Sequence, residues 1–274
     1  MSLADHCPVP NPDPTQSQVR FAAVADLHYG RHDPESLRPV LDDITASADA
    51  LLLCGDLTDH GLPDEARGLA REIRQRLRMP VVAVFGNHDH ESLQAPELQT
   101  ILSDAGVTVL DGDACDVLGV GVAGIKGFCG GFGPRALGAW GEAMIKQFVQ
   151  EAIGEALKLE TALARVTSPT RIAMLHYSPV ASTVEGEPLE IYPFLGSSRL
   201  EEPLGRYPVA AVFHGHAHHG QPEGRTSHDV PVYNVSLPLL RRVQPARPFR
   251  IWSVKSGRPR ERSQPENTPI LKIL

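Results

Sequence analysis

Residues 81–89 have the sequence VVAVFGNHD, in which a short apolar run ends in a glycine and three polar residues. Two earlier apolar runs end in a similar way, since 19–25 leads into Asp26-Leu27-His28 and 50–54 leads into Gly55-Asp56. Between the three runs, apolar residues recur at helical spacing. Strands that alternate with helices predict βαβ units and a parallel sheet. Strands that are apolar throughout are typical of a sheet covered on both faces.

Periodic and apolar segments extend this prediction along the rest of the chain. We expect helices over 34–48, 64–78, 93–105 and 140–166, and further strands over 107–110, 116–120, 122–125, 171–175, 209–213, 230–235 and 249–254. A glycine-rich loop over 126–138 and a second long loop over 179–208 interrupt the pattern, and long loops in compact domains tend to be functional. We predict a flexible tail at 1–18, one domain at 19–256 and a C-terminal extension at 257–274.

The composition is that of an ordinary globular chain and argues against several classes of protein. The chain has 274 residues, 42% of them hydrophobic, and a formal net charge of −7 from 26 basic and 33 acidic residues. Its longest apolar runs are far below the ~20 residues that span a bilayer, and 1–18 shows no signal peptide. Its four cysteines have no C-x-x-C spacing, which indicates reduced thiols and a cytoplasmic protein. The net acidity argues weakly against general DNA coating.

Five of the apolar runs end in residue types that bind metals in proteins. These candidates are Asp26, His28, Asp56, Asn87, His88, His176, His216 and His218. Ligands in open α/β folds bind outside the carboxyl ends of the strands, so side chains far apart in the chain can converge there. Imidazole, carboxylate and amide groups together suit Zn, Mn, Fe or Co better than Ca. The candidates are too many for one tetrahedral ion and fit two ions that share a carboxylate, the arrangement used for in-line displacement at phosphorus.

The five sequence blocks, in this order, resemble the pattern of the calcineurin-like metallophosphoesterase superfamily. They are Asp26-Leu27-His28, Gly55-Asp56, Gly86-Asn87-His88-Asp89, His176 and Gly215-His216-Ala217-His218. Any one block is weak evidence, but the ordered set over 26–218 is specific. The resemblance implies an α/β fold, a four-layer α/β/β/α sandwich of the metallo-dependent phosphatase type, with a dinuclear metal centre at one end.

The resemblance also implies a role for each matching residue. The first ion would be held by Asp26, His28 and His218, the second by Asn87, His176 and His216, and both by the bridging carboxylate of Asp56. His88 would contact the scissile phosphate or protonate the leaving oxygen. Asp59 occupies the position that orients this histidine in some members. The nucleophile would be a hydroxide that bridges two divalent ions, which would be Mn, Fe, Zn or Co.

Two departures from the protein Ser/Thr phosphatases favour the phosphodiesterase branch. His60-Gly61 and Asp89 stand where those enzymes carry Arg-Gly and Glu. We therefore expect a phosphodiesterase that acts on a small organic phosphate. The alternative is a phosphomonoesterase or a nuclease of the same superfamily, and a non-catalytic scaffold is less favoured because every ligand position is intact. The segment 175–179, LHYSP, differs from the His-His-Pro-Pro common in cyclic-nucleotide members.

Three further features concern the choice of histidine ligands, the substrate contacts and the partners. Spacing alone allows His214 with His216 as the ligand pair, instead of His216 with His218. Arg135 in the glycine-rich loop and His214 are candidate substrate contacts. Residues 241–262 hold eight basic side chains, which makes nucleic acid a conceivable partner, although a solvated basic tail is favoured. We expect no membrane partner.

Overall fold

A computed structural model of the chain describes residues 18–31 and 34–255. Its strands are β1 (Gln18–Val24), β2 (Ala50–Cys54), β3 (Val81–Val84), β4 (Val107–Val109), β5 (Asp113–Val117), β6 (Val120–Gly124), β7 (Thr170–Met174), β8 (Ala211–His214), β9 (Glu223–Arg225), β10 (Pro231–Asn234) and β11 (Arg250–Lys255). They form two sheets, ordered β11-β1-β2-β3-β4 and β5-β6-β7-β8-β10-β9. The inner strands of both sheets are parallel, whereas β11, β5 and β9 pair antiparallel at the edges.

Helices cover the outer face of each sheet. They are α1 (Arg38–Ser47), α2 (Pro63–Arg76), α3 (Ala95–Asp104), α4 (Ala143–Arg165), α5 (Tyr192–Leu195), α6 (Glu201–Arg206) and α7 (Leu237–Val243). Ile44 of α1, Leu69 of α2 and Leu98 of α3 are buried in one apolar cluster with the first sheet. Leu159 of α4 and Leu204 of α6 are buried in another cluster with the second sheet.

The two sheets pack face to face because their strands are apolar on both sides. Successive side chains of a strand point to opposite faces. In β1, Phe21 and Ala23 belong to the cluster between the sheets, while Ala22 and Val24 belong to the cluster under the first helices. The layers therefore follow the order helix, sheet, sheet, helix, which confirms the predicted four-layer α/β/β/α sandwich.

The segment 113–124 differs from its prediction. The expected strand over 116–120 is wrong, because β5 and β6 form a hairpin that turns at Leu118 and Gly119. Their φ angles are 54° and 86°, and positive φ at both central residues is typical of a two-residue hairpin turn. The Gly119 amide also donates to the Asp116 carboxylate at 3.0 Å. The long helix α4 begins at Ala143, later than expected, since Glu142 before it is extended.

Some sequence predictions fall on the remaining residues. The predicted tail at 1–18, apart from Gln18, and the predicted extension at 257–274 lie outside the described residues, as does the basic segment beyond 255. The domain bounds 19–256 stay a prediction. Across the described ranges, no helix is long and apolar enough to cross a membrane.

Candidate metal centre

The predicted ligands meet at one edge of the sandwich. β1, β2 and β3 run parallel in the first sheet, and β7 and β8 run parallel in the second, so the residues that follow these strands lie at their carboxyl ends. Three groups there have potential ligand atoms within 4.8 Å of one another: Asp26, His28 and His218; Asp56, His176 and His216; and His28, Asp59 and His88. Asn87 joins the second group, with its Oδ1 atom 2.9 Å from His176 Nε2.

The first group leaves one buried nitrogen without a hydrogen bond. His28 is 4% exposed, and its Nδ1 lies 3.1 Å from Asp59 Oδ1, so Nδ1 carries the proton and donates it. The Nε2 atom then has a free lone pair, is buried, and has no hydrogen-bond partner. It lies 3.8 Å from Asp56 Oδ2. A histidine fixed by a carboxylate on one nitrogen, with the other nitrogen unpaired, is the usual arrangement of a metal ligand.

The second group brings acceptor atoms together. His176 Nδ1 donates to the carbonyl of Cys54 at 3.1 Å, and His216 Nε2 donates to the carbonyl of Phe194 at 3.1 Å. In the neutral rings the other nitrogens carry lone pairs, and these two atoms are 3.2 Å apart. The Asn87 and Asp56 side-chain oxygens lie 2.9 and 3.4 Å from His176 Nε2. So many lone pairs at one point require either a proton or a cation between them.

Asp56 lies between the two groups. Its Oδ1 atom faces His176 and its Oδ2 atom faces His28. The amide of His88 donates to Oδ1 at 2.9 Å and helps to fix the carboxylate. A carboxylate that presents one oxygen to each group has the geometry expected of a bridging ligand.

Burial and charge act in opposite directions on the pKa values of these groups. Burial raises the pKa of a carboxyl, but the protonated form of His218 holds the pKa of Asp26 below its ordinary value. Burial would lower the pKa of His176, yet the Asp56 carboxylate raises it to about 9. Burial, together with the charge on His176, lowers the pKa of His216 to about 3. The carboxylates therefore favour a positive charge on His176, and that charge disfavours a second one on His216.

The backbone at the ligands adopts uncommon conformations. Asp26, His28, Asp56 and His216 have φ angles of 58°, 43°, 49° and 71°, a region that residues other than glycine rarely adopt. Gly86 allows the Asp56 side chain to approach, because a Cβ atom at this position would collide with the Asp56 carboxylate. Such strain is concentrated at functional sites in proteins.

Asp59 contacts a different histidine from the expected one. Its carboxylate binds His28, whereas His88 Nδ1 donates to the backbone carbonyl of Asp59 at 2.6 Å. The expectation that the Asp59 side chain orients His88 is not met, because the carboxylate points towards the first ligand group. Asp59 holds His88 through its main chain. The His88 side chain is 33% exposed and its ring packs edge-on against that of His28, with centroids 4.6 Å apart.

The structure does not place the two candidate substrate contacts in the cluster. His214 is fully buried, and its Nε2 atom lies 2.9 Å from Thr183 Oγ1. Burial also lowers the pKa of His214 to about 4. The cluster contains His216 and His218, so the geometry favours these two histidines as the ligand pair over His214 with His216. Arg135 is exposed in a single 3-10 turn, Gly133–Arg135.

Asp89 supports the site in a way that the sequence analysis missed. It is fully buried and accepts hydrogen bonds from the amides of Gly86, Leu57 and Thr58 and from the Thr58 hydroxyl, at 2.6 to 3.1 Å. It thereby ties the loop after β2 to the loop after β3. Burial, and then the charge of Asp56, raises the pKa of Asp89 to about 6. The sequence signal for it was its place at the end of the Gly86-Asn87-His88-Asp89 block.

The two long loops meet beside the cluster. The amide of Gly130 donates to the carbonyl of Pro193, and the amide of Gly131 donates to the carbonyl of Gly196. Phe194, whose carbonyl binds His216, lies between these contacts. The segments predicted as 126–138 and 179–208 thus form one wall next to the second ligand group.

Comparisons with known proteins agree with this fold. A model of the calcineurin-like phosphoesterase family matches residues 19–220. A probable cyclic nucleotide phosphodiesterase of Rhodococcus erythropolis is 34% identical over 82 residues, which span 28% of this chain and only 27% of that protein.

Solved structures share the fold at low identity. A putative 5′-nucleotidase of Staphylococcus aureus matches with a TM-score of 0.50 at 15% identity. The match covers 80% of this chain and 48% of the nucleotidase chain. TT1561, a protein of Thermus thermophilus, matches with a TM-score of 0.50 at 15% identity. The match covers 87% of this chain and 99% of the TT1561 chain. Because the family match extends over most of the chain and includes every strand that leads into the ligand cluster, the chain belongs to the calcineurin-like phosphoesterases, which are hydrolases of phosphoric ester bonds.

Proposed function

We propose that the protein hydrolyses phosphodiesters of small organic molecules with the help of two divalent cations. The observation that carries the proposal is the position of Asp56 between the unpaired His28 Nε2 and the lone pairs around His176 Nε2. Both places are rich in acceptor atoms, which fits a cation at each.

We assign the proposed ligands to the two cations according to which side chains lie close together. Asp26, His28 and His218 would hold one, Asn87, His176 and His216 would hold the other, and Asp56 would touch both. When bound, the two cations would supply positive charge that polarises the phosphoryl oxygens and lowers the pKa of water. The mixed donor set suits Mn, Fe, Zn or Co.

His88 is proposed to hold the proton that the leaving oxygen receives. Its Nδ1 donates to the Asp59 carbonyl, which can only accept, so Nε2 is the atom that gains or loses a proton. The side chain is partly exposed beside His28, where a substrate can reach it. A positioned imidazole of this kind is a common general acid near neutral pH.

Diesters are favoured over monoesters by the charge of the site. No arginine or lysine of the described residues hydrogen-bonds the cluster side chains, whose partners are histidines, carboxylates, Asn87 and backbone groups. A diester carries one negative charge, whereas a monoester carries up to two and gains more from a basic clamp. The name of the Rhodococcus relative, a probable cyclic nucleotide phosphodiesterase, points in the same direction.

The proposed setting is the cytoplasm. Cys54, Cys115 and Cys129 are free thiols in the described structure, and burial raises the pKa of Cys115 and Cys129 to about 11. Such thiols persist in a reducing compartment.

The test compares two chromogenic esters on the same enzyme. Metal-stripped protein is supplied in turn with Mn, Fe, Zn, Co or Mg, and the hydrolysis of bis-p-nitrophenyl phosphate and of p-nitrophenyl phosphate is measured. We expect kcat/KM for the diester to exceed that for the monoester at least about tenfold, which corresponds to about 1.4 kcal/mol. A preference for the monoester would refute the diesterase assignment. Failure to bind two ions per chain would refute the metal centre.

A further inference from the structure

A cavity of about 370 Å3, lined by none of the candidate metal ligands, has no part in the chemistry described so far. Its lining includes the apolar side chains of Phe85, Val109 and Leu110, the polar side chains of His90 and Gln99, and the charged side chains of Asp111 and Lys126. We call this space the side cavity. Its volume is within the range of pockets that bind small organic molecules, and a mainly apolar lining with a few polar groups is also typical of them.

The side cavity adjoins the second ligand group through the chain. Phe85 and His90 flank the segment that carries Asn87 and His88. The carbonyl of Lys126 accepts hydrogen bonds from the amides of His176 and Tyr177, at 2.9 and 3.2 Å. The cavity wall is therefore continuous, along the chain and through backbone hydrogen bonds, with the segments that carry Asn87 and His176.

Lys126 is a partly buried cation that forms no direct ion pair within the described residues, although the carboxylates of Glu155, Glu151 and Asp111 act on its charge at longer range. Its ammonium group donates to the carbonyl of Gly127 at 2.7 Å and lies over the rings of Phe128 and Tyr177. The nearby carboxylates of Asp111 and Glu155 pair with Lys158 instead, at 3.0 and 2.8 Å. Within 18–31 and 34–255, no carboxylate forms an ion pair with Lys126.

The Lys126 ammonium retains donors for an anion, because it has three N–H groups and, among the described residues, gives one hydrogen bond, to the Gly127 carbonyl. Charged side chains are seldom withdrawn from water without an opposite charge, since removal of the hydration shell is unfavourable. A cation on the wall of an open cavity can obtain its partner from a ligand. The Tyr177 ring, 5.5 Å from the Lys126 ammonium, packs 4.5 Å from the ring of His216, so this charge also lies close to the metal centre.

We propose that the side cavity binds the leaving group of the substrate and that Lys126 binds a negatively charged substituent on it. The preferred substrates are then phosphodiesters whose leaving alcohol has an apolar body and a second anionic group. The inference rests on the proposed function, because His88 is the proton donor to the leaving oxygen. His88 and His90 belong to the same 3-10 turn, His88–His90, and His90 lines the cavity, which is the basis for placing the leaving group there.

The experiment compares methyl 4-nitrophenyl phosphate with methyl 3-carboxy-4-nitrophenyl phosphate on the metal-loaded enzyme. Both esters release a coloured phenolate, and only the second has a carboxylate on the leaving group. For each enzyme we take the ratio of kcat/KM for the carboxylated ester to that for the neutral ester. Intrinsic reactivity of the two esters cancels when this ratio is compared between variants.

We expect Lys126→Gln to lower the ratio about tenfold, mostly through KM, and Lys126→Arg to keep most of it. Lys146→Gln is the matched control, since it removes one positive charge from an exposed position on α4 and should leave the ratio unchanged. Gln99→Trp narrows the cavity from the exposed face of α3 and should raise KM for both esters. The Gln99→Trp variant still tests the proposal if Lys126→Gln does not fold.

The possible outcomes separate the leaving-group assignment from the proposed function. An unchanged ratio in Lys126→Gln, or an unchanged KM in Gln99→Trp, overturns the leaving-group assignment. If Lys126→Gln lowers kcat/KM equally for both esters, Lys126 acts on the phosphoryl group, and the leaving-group assignment is again overturned. If the wild-type protein hydrolyses neither ester with any metal, the proposed function fails and this inference fails with it.

Discussion

The change Asp59→Ala separates two roles for this carboxylate. In the structure, Asp59 Oδ1 accepts a hydrogen bond from His28 Nδ1 at 3.1 Å, and both side chains are buried. His88 is held by the Asp59 backbone carbonyl, which alanine retains. We therefore expect the substitution to weaken binding of the cation held by His28 and to leave His88 in place.

The magnitude follows from the hydrogen bond that is lost. A hydrogen bond to a charged group contributes about 1.5–3 kcal/mol. Loss of an outer carboxylate on a ligating histidine typically weakens metal affinity by about 10- to 100-fold. We expect the affinity for one of the two cations to fall by about that factor. At saturating metal, kcat should remain within about fivefold of the wild-type value, well below the change expected for loss of a general acid.

The assay titrates metal-stripped protein with Mn or Zn against a fluorescent chelator and follows phosphodiester hydrolysis in parallel. Asp64→Ala is the control, since the Asp64 side chain is 94% exposed and pairs with Arg67 on the surface of α2. It should change neither metal affinity nor rate. If Asp59→Ala bound both ions with wild-type affinity but lost more than about 100-fold in kcat, the carboxylate would act on His88 and our reasoning would be wrong.

Three further substitutions test the remaining parts of the site. Asp56→Ala removes the carboxylate between the two ligand groups, so we expect loss of at least one bound ion, counted by elemental analysis, and loss of activity; two retained ions would contradict the bridge. His88→Ala should lower kcat by about 10²- to 10⁴-fold with both ions retained, and a normal rate in this variant would exclude His88 as the proton donor. Gly86→Ala places a methyl group against the Asp56 carboxylate, so metal affinity and the melting temperature should both fall; unchanged values would show that the loop can relax.

Most of the ligand cluster could be predicted from the sequence because it depends on topology. Parallel strands place their carboxyl ends at one edge, and each apolar run marks where its strand ends. Asp26, Asp56 and Asn87 therefore converge whatever the details of packing. The same pattern predicted the helices on the first sheet to within a few residues.

The parts that the sequence did not predict depend on side-chain direction or on local turns. Asp59 is close to both His28 and His88, and only its rotamer decides which histidine its carboxylate binds. The Leu118-Gly119 turn has no residue pair that marks a hairpin strongly, so the strand was predicted in the wrong place. Lys126 lies in a glycine-rich loop, and its contact with the side cavity arises from the packing of two loops that have no periodicity.

The strained backbone of the ligands indicates what keeps the site in shape. Each of the four ligands with positive φ adopts a conformation that is unfavourable by about 1–3 kcal/mol on its own. Hydrogen bonds between the loops oppose this strain: the amide of Asp26 donates to the carbonyl of Gly55, the amide of His28 donates to the carbonyl of Asp56, and Asp89 accepts four hydrogen bonds from the loops around them. All of these contacts are made by the chain itself. The geometry of the proposed ligands is therefore imposed by the fold, so a cation bound there would meet carboxylates and imidazoles that are already held in place.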